Sequence, residues 1–228
     1  MFSKIKKILG LNEAEVGPAV EEHLDMPLKD VLQIMQRGVK KKTSYFGIKT
    51  LKNPLDFWVY QQIIYEIKPD VIIEIGNLAG GSALALAHFL DNMQKGRIIA
   101  VDIDHSLIDA KTKQHPRITL VTADAVASFE TVKPMINEGE KVLIIEDSAH
   151  TYDNTLCVLE KFSSLVSVGS YFIIEDSICH HGVDDGPSPG PYEAIEKFIS
   201  ENSSFEIDRS KEAYMITWNP KGFLKRKK

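Results

Sequence analysis

The sequence predicts an α/β fold: a mostly parallel sheet, covered on both faces, with an antiparallel pair at its C-terminal edge. Three observations carry this. From residue 53 onward, short apolar runs alternate with stretches of helical periodicity, the pattern of parallel strands joined by crossover helices. The runs are apolar almost throughout rather than alternating, so both faces of the sheet must be buried. The last two strand-like runs, 205–208 and 213–218, are separated only by Arg209, Ser210, Lys211 and Glu212, which is too short for a crossover and implies a hairpin.

Residues 1–50 carry no strong strand signal, while Leu28, Val31, Leu32 and Met35 recur at helical spacing after Pro27; the expectation is an N-terminal helical appendage. The main domain then spans 51–220. Asn53 suits a helix N-cap, Pro54 the first helical position and Asp56 the first turn, with Leu55, Val59, Ile63 and Ile67 following on one face. Strands are expected at 71–75, 97–101, 118–121, 142–145 and 171–174, with helices near 81–90, 107–113, 127–136 and 154–166. Residues 221–228, with Lys221, Lys225, Arg226, Lys227 and Lys228, read as a basic, solvated tail.

Composition bounds the function classes. A chain of 228 residues with 43% hydrophobic and 26% charged residues has enough apolar material for one sizeable core, and is neither disordered nor repetitive. The net charge of -5 provides no attraction to polyanions, so no nucleic-acid partner is expected. Cys157 and Cys179, the two cysteines of the chain, build neither a disulfide framework nor a four-cysteine zinc site, which fits a cytoplasmic location. No apolar run approaches the roughly 18 residues of a membrane span, and the start MFSKIKKILGL lacks an export signal's apolar core, so no membrane insertion is expected.

In such a fold, ligands bind beyond the carboxyl ends of the strands. The first strand runs into Glu74-Ile75-Gly76-Asn77-Leu78-Ala79-Gly80-Gly81-Ser82, where glycines permit a sharp turn and close ligand approach. The spacing is not that of a dinucleotide pyrophosphate loop. An acidic residue two positions before the first glycine repels phosphate and suits an ammonium, which points to S-adenosylmethionine. Glu74, Gly76, Asn77, Gly80 and Ser82 are the candidate contacts there. Asp102, with Asp104 nearby, follows the second strand as an acceptor for ribose hydroxyls, and Asp124 follows the third as an acceptor for an adenine amino group. The bland alternative is that Asp102 and Asp124 cap the following helices.

The fourth strand ends in Glu146-Asp147-Ser148-Ala149-His150 and the fifth in Glu175-Asp176-Ser177. Adjacent parallel strands would bring Asp147, Glu175 and Asp176 together, and such carboxylates repel one another unless a cation intervenes. All-oxygen ligands suit a hard ion, Mg2+ first, with Mn2+ or Ca2+ as alternatives. His150, on the same turn as Asp147, is the candidate general base. Cys179, His180 and His181 invite a zinc reading, discounted because adjacent histidines rarely converge and oxygen ligands dominate nearby.

With these residues in view, the chain resembles the cephalosporin hydroxylase and rhamnosyl O-methyltransferase family. The likeness runs from about Tyr45 to Trp218, through YFGIKTLKNPLDFWVYQQII, DVIIEIGNLAGGSALALA, IIAVDID, IIEDSAHTYDNTL, GSYFIIEDS and GPSPGPYEAIEKF. It implies a Rossmann-like methyltransferase fold with a seven-stranded sheet, metal ligands at Asp147, Glu175 and Asp176, and cofactor contacts at Glu74, Gly76, Ser82, Asp102 and Asp124. The chain is also similar to metal-dependent macrolide-sugar O-methyltransferases, which have a histidine base where His150 stands. Catechol O-methyltransferases, more distant, carry lysine there and asparagine at the position of Asp176, a departure that favours an aliphatic or sugar diol. The resemblance therefore implies a metal-dependent O-methyltransferase acting on a small-molecule hydroxyl, preferably of a sugar. Residues 182–191 are a candidate substrate lid, Tyr45, Phe46 and Tyr152 candidate acceptor-pocket residues, and the appendage a candidate homo-oligomer interface. The rivals are a non-catalytic cofactor-binding module of the same fold and an NAD-binding oxidoreductase.

Overall fold

The computed structural model describes residues 19–228. The part of the appendage before residue 19, with the MFSKIKKILGL start, lies outside the described residues. The helix expected after Pro27 spans Leu28–Lys42, with Pro27 itself as N-cap. It leads into a small hairpin, β1 (Ser44–Tyr45) and β2 (Ile48–Lys49), turned by Phe46 and Gly47 at φ +48° and +84°. Positive φ at both central residues matches the twist of a two-residue hairpin. Strands this short carry no readable alternation, so the sequence did not disclose them.

The main sheet contains β3 (Val71–Ile75), β4 (Arg97–Asp102), β5 (Ile118–Thr122), β6 (Val142–Glu146), β7 (Tyr171–Ile174), β8 (Phe205–Ile207) and β9 (Phe223–Arg226). Its order is β5-β4-β3-β6-β7-β9-β8. The first five strands pair in parallel, while β9 is antiparallel to both β7 and β8. Order reverses between β4 and β6, on either side of β3, which leaves a crevice above the carboxyl end of β3. Both faces are covered as expected. On one, Ile73, Ile144 and Phe172 pack with Leu159, Phe162 and Ile195; on the other, Ile72, Leu143 and Ile173 pack with Tyr60, Ile63 and Leu86.

The helix Pro54–Ile67 starts as the sequence indicates, with Asn53 Oδ1 accepting from Leu55 N at 3.2 Å. Three crossovers are shorter than their periodicity suggests. The helices are Ala110–Lys113, Phe129–Val132 and Tyr152–Phe162, and the last two continue as 3-10 turns. A further helix, Pro191–Glu201, begins with proline at its first position, and Glu193 Oε2 accepts from Gly190 N at 2.7 Å. Those start signals were in the sequence but sat inside a stretch dominated by Gly and Pro.

The C-terminal pair forms, but with a different second strand. Residues 213–218 are not a strand; after β8 the chain passes a 3-10 turn, Arg209–Lys211, and a long loop before β9. The loop is pinned by polar bonds. Thr217 Oγ1 and Trp218 N donate to the buried Asp56 carboxylate at 2.5 and 2.7 Å, and Asn219 Nδ2 donates to Tyr60 Oη at 2.8 Å. Lys225 and Arg226, read as part of a solvated basic tail, are therefore strand residues, and Arg226 Nη1 donates to the carbonyls of Ser164 at 3.0 Å and Val166 at 2.5 Å. Phe223 and Leu224 are the buried pair of β9; two apolar residues followed by charge give no strand signal.

Asp56 is thus the joint between the first domain helix and this loop. Burial pushes its carboxyl up to about 6, against the lowering effect of its donors. Asp56→Ala leaves the Thr217 hydroxyl and Trp218 N–H unpaired in the interior and should cost about 3 kcal/mol. Urea denaturation checks this, and a loss below about 1 kcal/mol would mean that water replaces the carboxylate.

Candidate active site

The turn after β3 is shaped by two glycines. Gly76 has φ +92°, and a Cβ there would lie 2.0 Å from the carbonyl oxygen of Asp147; Gly80 has φ +82°, and its Cβ would press on Ile108 and Thr112. Backbone from two strands meets at Gly76, and no side chain fits between them. Glu74 is wholly buried behind this turn. It accepts from Asn77 Nδ2 at 2.9 Å, while its Oε1 has no hydrogen-bond partner. Burial raises its pKa, with Lys52 opposing.

Asp102, at the end of β4, closes on the same turn. Its Oδ2 accepts from the amides of Asn77 and Leu78 at 2.7 and 2.9 Å, and its Oδ1 from Asp104 N at 3.1 Å. It does not cap the next helix; Asp109 does. Asp124 Oδ1 accepts from Val126 N and Ala127 N, both at 3.0 Å, which closes the turn after β5; the N-cap of the helix Phe129–Val132 is Ser128, so Asp124 does not cap it either. A cavity of about 520 Å³ is walled by Gly76, Asn77, Ser82, Asp102 and Asp124 at one end and by Asp147, His150 and Asp176 at the other. Glu74 and Gly80 are not on its wall. They shape the turn from behind.

At the acidic end the structure brings Asp147, Asp176 and His150 together. His150 Nε2 is 3.6 Å from Asp147 Oδ1 and 3.5 Å from Asp176 Oδ2, and one ligand atom from each lies within 4.8 Å of the others. Glu175 is adjacent but turned elsewhere: its Oε1 accepts from Lys52 Nζ at 2.6 Å, and the same ammonium donates to Asp147 Oδ2 at 2.5 Å. The expected trio is therefore split, with His150 beside the two aspartates and Glu175 on Lys52. Sequence reasoning missed Lys52 altogether. Its partners are 95 and 123 residues away, and a lone lysine before a helix start carries no signal of such contacts. Glu146, also missed, braces the following turn by accepting from Ser148 N at 3.1 Å.

Burial alone would lower the Lys52 pKa, yet Asp147, Glu175 and Glu74 together hold it well above the ordinary lysine range. Burial, then Asp147, pushes Glu175 well up, against Lys52. Burial also raises Asp176, with His150 opposing. For His150, burial lowers the pKa, but Asp147, Asp176 and Glu146 outweigh it, and the net shift is upward. His150 and Asp176 both hold left-handed backbone, at φ +54° and +56°, a conformation that non-glycine residues adopt at some cost and that clusters at functional sites. The His150 Nδ1 is buried without a partner. Three carboxylates, Glu74, Asp147 and Glu175, thus surround one ammonium, and a fourth, Asp176, stands beside His150. That excess of negative charge, with oxygens of Asp147 and Asp176 facing one point, fits a hard divalent ion.

The segment beyond Asp176 is held by the N-terminal helix. Leu32 packs with Ile178, Val183 and Trp218, Gln36 accepts from Trp218 Nε1 at 2.5 Å, and Lys29 meets Asp184 at 2.9 Å. The neighbouring imidazoles diverge. His180 Nε2 meets the Gly186 carbonyl at 2.9 Å, whereas His181 Nε2 meets Glu193 at 2.7 Å and its ring stacks on Tyr192, so the pair does not converge with Cys179 on one ion. Tyr45 Oη turns to His88 Nδ1 at 2.9 Å and Phe46 is 72% exposed; neither they nor Tyr152 line the cavity.

The sheet order, the glycine turn and the carboxylate-lined crevice define the Rossmann-like fold of S-adenosylmethionine-dependent O-methyltransferases. The chain belongs to the rhamnosyl O-methyltransferase/CmcI family, whose model matches residues 37–227. It is 34% identical over 190 residues to a rhamnosyl O-methyltransferase of Mycobacterium bovis, covering 80% of this chain and 78% of that one. With the rhamnosyl O-methyltransferase of Mycobacterium leprae it shares 36% over 194 residues, covering 81% and 83%. Among solved structures, CmcI described as Mg-SAM superposes with a TM-score of 0.65 at 22% identity, over 95% of this chain and 88% of that one. An O-methyltransferase from Bacillus cereus in complex with SAH gives 0.54 at 20%, over 82% and 86%. Among the described residues, no helix is long and apolar enough to cross a membrane.

Two outcomes follow from the geometry. Gly76→Ala should destabilise the fold by about 3 kcal/mol or more, since both the backbone angle and the Asp147 carbonyl oppose a methyl group; thermal unfolding checks it. Asp176→Asn should lower the His150 pKa, because a raising carboxylate is lost while burial stays, and NMR titration of the imidazole reads the shift directly. With the folded value above the ordinary 6.5, imidazolium stabilises the native chain below about pH 6.5, and that contribution disappears as pH rises through the folded value. An unmoved His150 titration in the variant would refute the electrostatic assignment.

Proposed function

We propose that this protein transfers the methyl group of S-adenosylmethionine to a hydroxyl of a sugar, or of another small diol, with the help of a divalent metal ion, Mg2+ first. The observation that carries the reading is one continuous cavity with a glycine turn and Asp102 at one end and Asp147, His150 and Asp176 at the other. Its polar wall, with Lys49, Thr50, Ser148 and Asn154, offers hydrogen-bond partners to a hydroxyl-rich acceptor. The relatives named as rhamnosyl O-methyltransferases support a deoxysugar acceptor.

Asp147 and Asp176 are the nearest candidate ligands for the ion, and Glu175 is the third, available by exchange of its Lys52 contact. Bound there, the ion would supply Lewis-acid charge at the acceptor oxygen, and the sulfonium donor an activated methyl group. His150 Nε2 takes the hydroxyl proton, and the two flanking aspartates stabilise the imidazolium that results. Asn77, Ser82 and Asp102 orient the donor from the opposite wall, while Asp124 accepts from its nucleoside end. Glu74 acts from behind, fixing Asn77. Attack by the hydroxyl oxygen on the methyl carbon is direct, so no covalent enzyme intermediate is required.

The test is methyl transfer from labelled S-adenosylmethionine to a panel of rhamnosides and simple diols, with Mg2+ and with a chelator. Transfer that the chelator abolishes is expected. His150→Ala should retain S-adenosylhomocysteine binding and lose about 10²- to 10⁴-fold in kcat. Binding of S-adenosylhomocysteine without transfer to any hydroxyl would instead favour a non-catalytic module, and binding of NAD alone would overturn the reading.

A further inference from the structure

We infer that Lys52 is a resident counter-cation that a divalent ion displaces, and that Glu74 is where its ammonium goes. The inference rests on the metal reading above and concerns how the site changes hands between two cations. Lys52 Nζ lies 2.5 Å from Asp147 Oδ2, 2.6 Å from Glu175 Oε1 and 3.9 Å from Glu74 Oε1, with its side chain 7% exposed. One ammonium thus gathers carboxylates from the ends of β3, β6 and β7. An ion held by Asp147 Oδ1 and Asp176 Oδ2, which face one point beside His150, completes its carboxylate set by drawing Glu175 Oε1 away from Lys52 Nζ, and it then shares the Asp147 carboxylate with the ammonium on Oδ2. Two cations on opposite oxygens of one carboxylate, competing for Glu175, repel strongly in a buried site, so the ammonium gives way.

The receiving position is already built. Glu74 Oε1 is buried and is the one oxygen of that carboxylate without a hydrogen-bond partner, since Asn77 holds the other. It lies within a short swing of Lys52 Nζ. Released from Asp147 and Glu175, the ammonium finds there a complete charge-assisted bond instead of the long contact it has now. The backbone of Lys52 need not move, because Thr50 is wedged against the start of the helix Gly81–Met93, where a Cβ on Gly81 would lie 1.9 Å from Thr50 Oγ1. The exchange also tightens the glycine turn: a Glu74 bonded through both oxygens holds Asn77 more firmly, so loading the metal end organises the donor end.

Calorimetric titration of Mg2+ into the full chain, without donor or acceptor, tests this. Lys52→Met removes the competitor and should tighten Mg2+ binding about tenfold, the equivalent of one charge-assisted hydrogen bond no longer to be broken. Glu74→Gln removes the receiving charge and should weaken Mg2+ binding in the wild-type background, with no further effect in the Lys52→Met background. If Lys52→Met does not fold, Glu74→Gln alone decides. Unchanged or weaker Mg2+ binding in Lys52→Met, or an equal effect of Glu74→Gln in both backgrounds, would overturn the exchange while leaving the metal site standing. Absence of Mg2+ and Mn2+ binding in wild type and variants alike would overturn the metal reading itself, and this inference with it.

Discussion

The carboxyl edge of the sheet is organised by the burial of one ammonium among several carboxylates. Glu74, Asp147 and Glu175 stand at the ends of neighbouring parallel strands, and their mutual repulsion would open the edge without a cation between them. Lys52 supplies it. Such a buried cluster is a poor source of net stability, since desolvation offsets most of the attraction, but removing one member leaves charge stranded in the interior. Its value is geometric: it fixes where the carboxylates point and holds them ready for chemistry.

Lys52 is placed by the helix start that follows it. Asn53 caps the helix Pro54–Ile67 and donates to Asp56 at 2.9 Å. Asp56 in turn holds Thr217 and Trp218, and the next residue, Asn219, accepts from Asp176 N at 3.2 Å. A continuous run of hydrogen bonds therefore joins the segment before the first domain helix to the loop before β9 and to a candidate metal ligand. This explains why the chain returns antiparallel between β7 and β8. The return carries residues 217–219 across the carboxyl edge, next to Asp176, where a short hairpin after β8 would not bring them.

Much of this was legible in advance. Each of the five parallel strands was marked by an apolar run that only a doubly covered sheet could bury, and the residues after each strand were marked as site residues by the logic of the fold. Gly76, Asn77, Ser82, Asp102, Asp124, Asp147, His150 and Asp176 do meet in one cavity. The failures have physical causes. β9 has two buried apolar residues before its charged end, so the polar 217–219 stretch and the basic residues beside it concealed the strand. Glu74 and Gly80 lie close in sequence to wall residues but face the other way, a distinction that spacing cannot make. Lys52 and Glu175 meet across 123 residues, and no local pattern encodes such a pair.

The sequence by itself determined the class of fold, the order of its strands along the chain and the chemical inventory at their ends, because periodicity and turn composition act over a few residues and survive without tertiary contacts. Only the tertiary structure decided which carboxylates face the cavity, which are bonded to the ammonium, and which strand closes the sheet. Those choices are set by side-chain direction and by charge pairing over a few ångströms between segments far apart in the chain, and they exist only once the sheet has brought its carboxyl ends together.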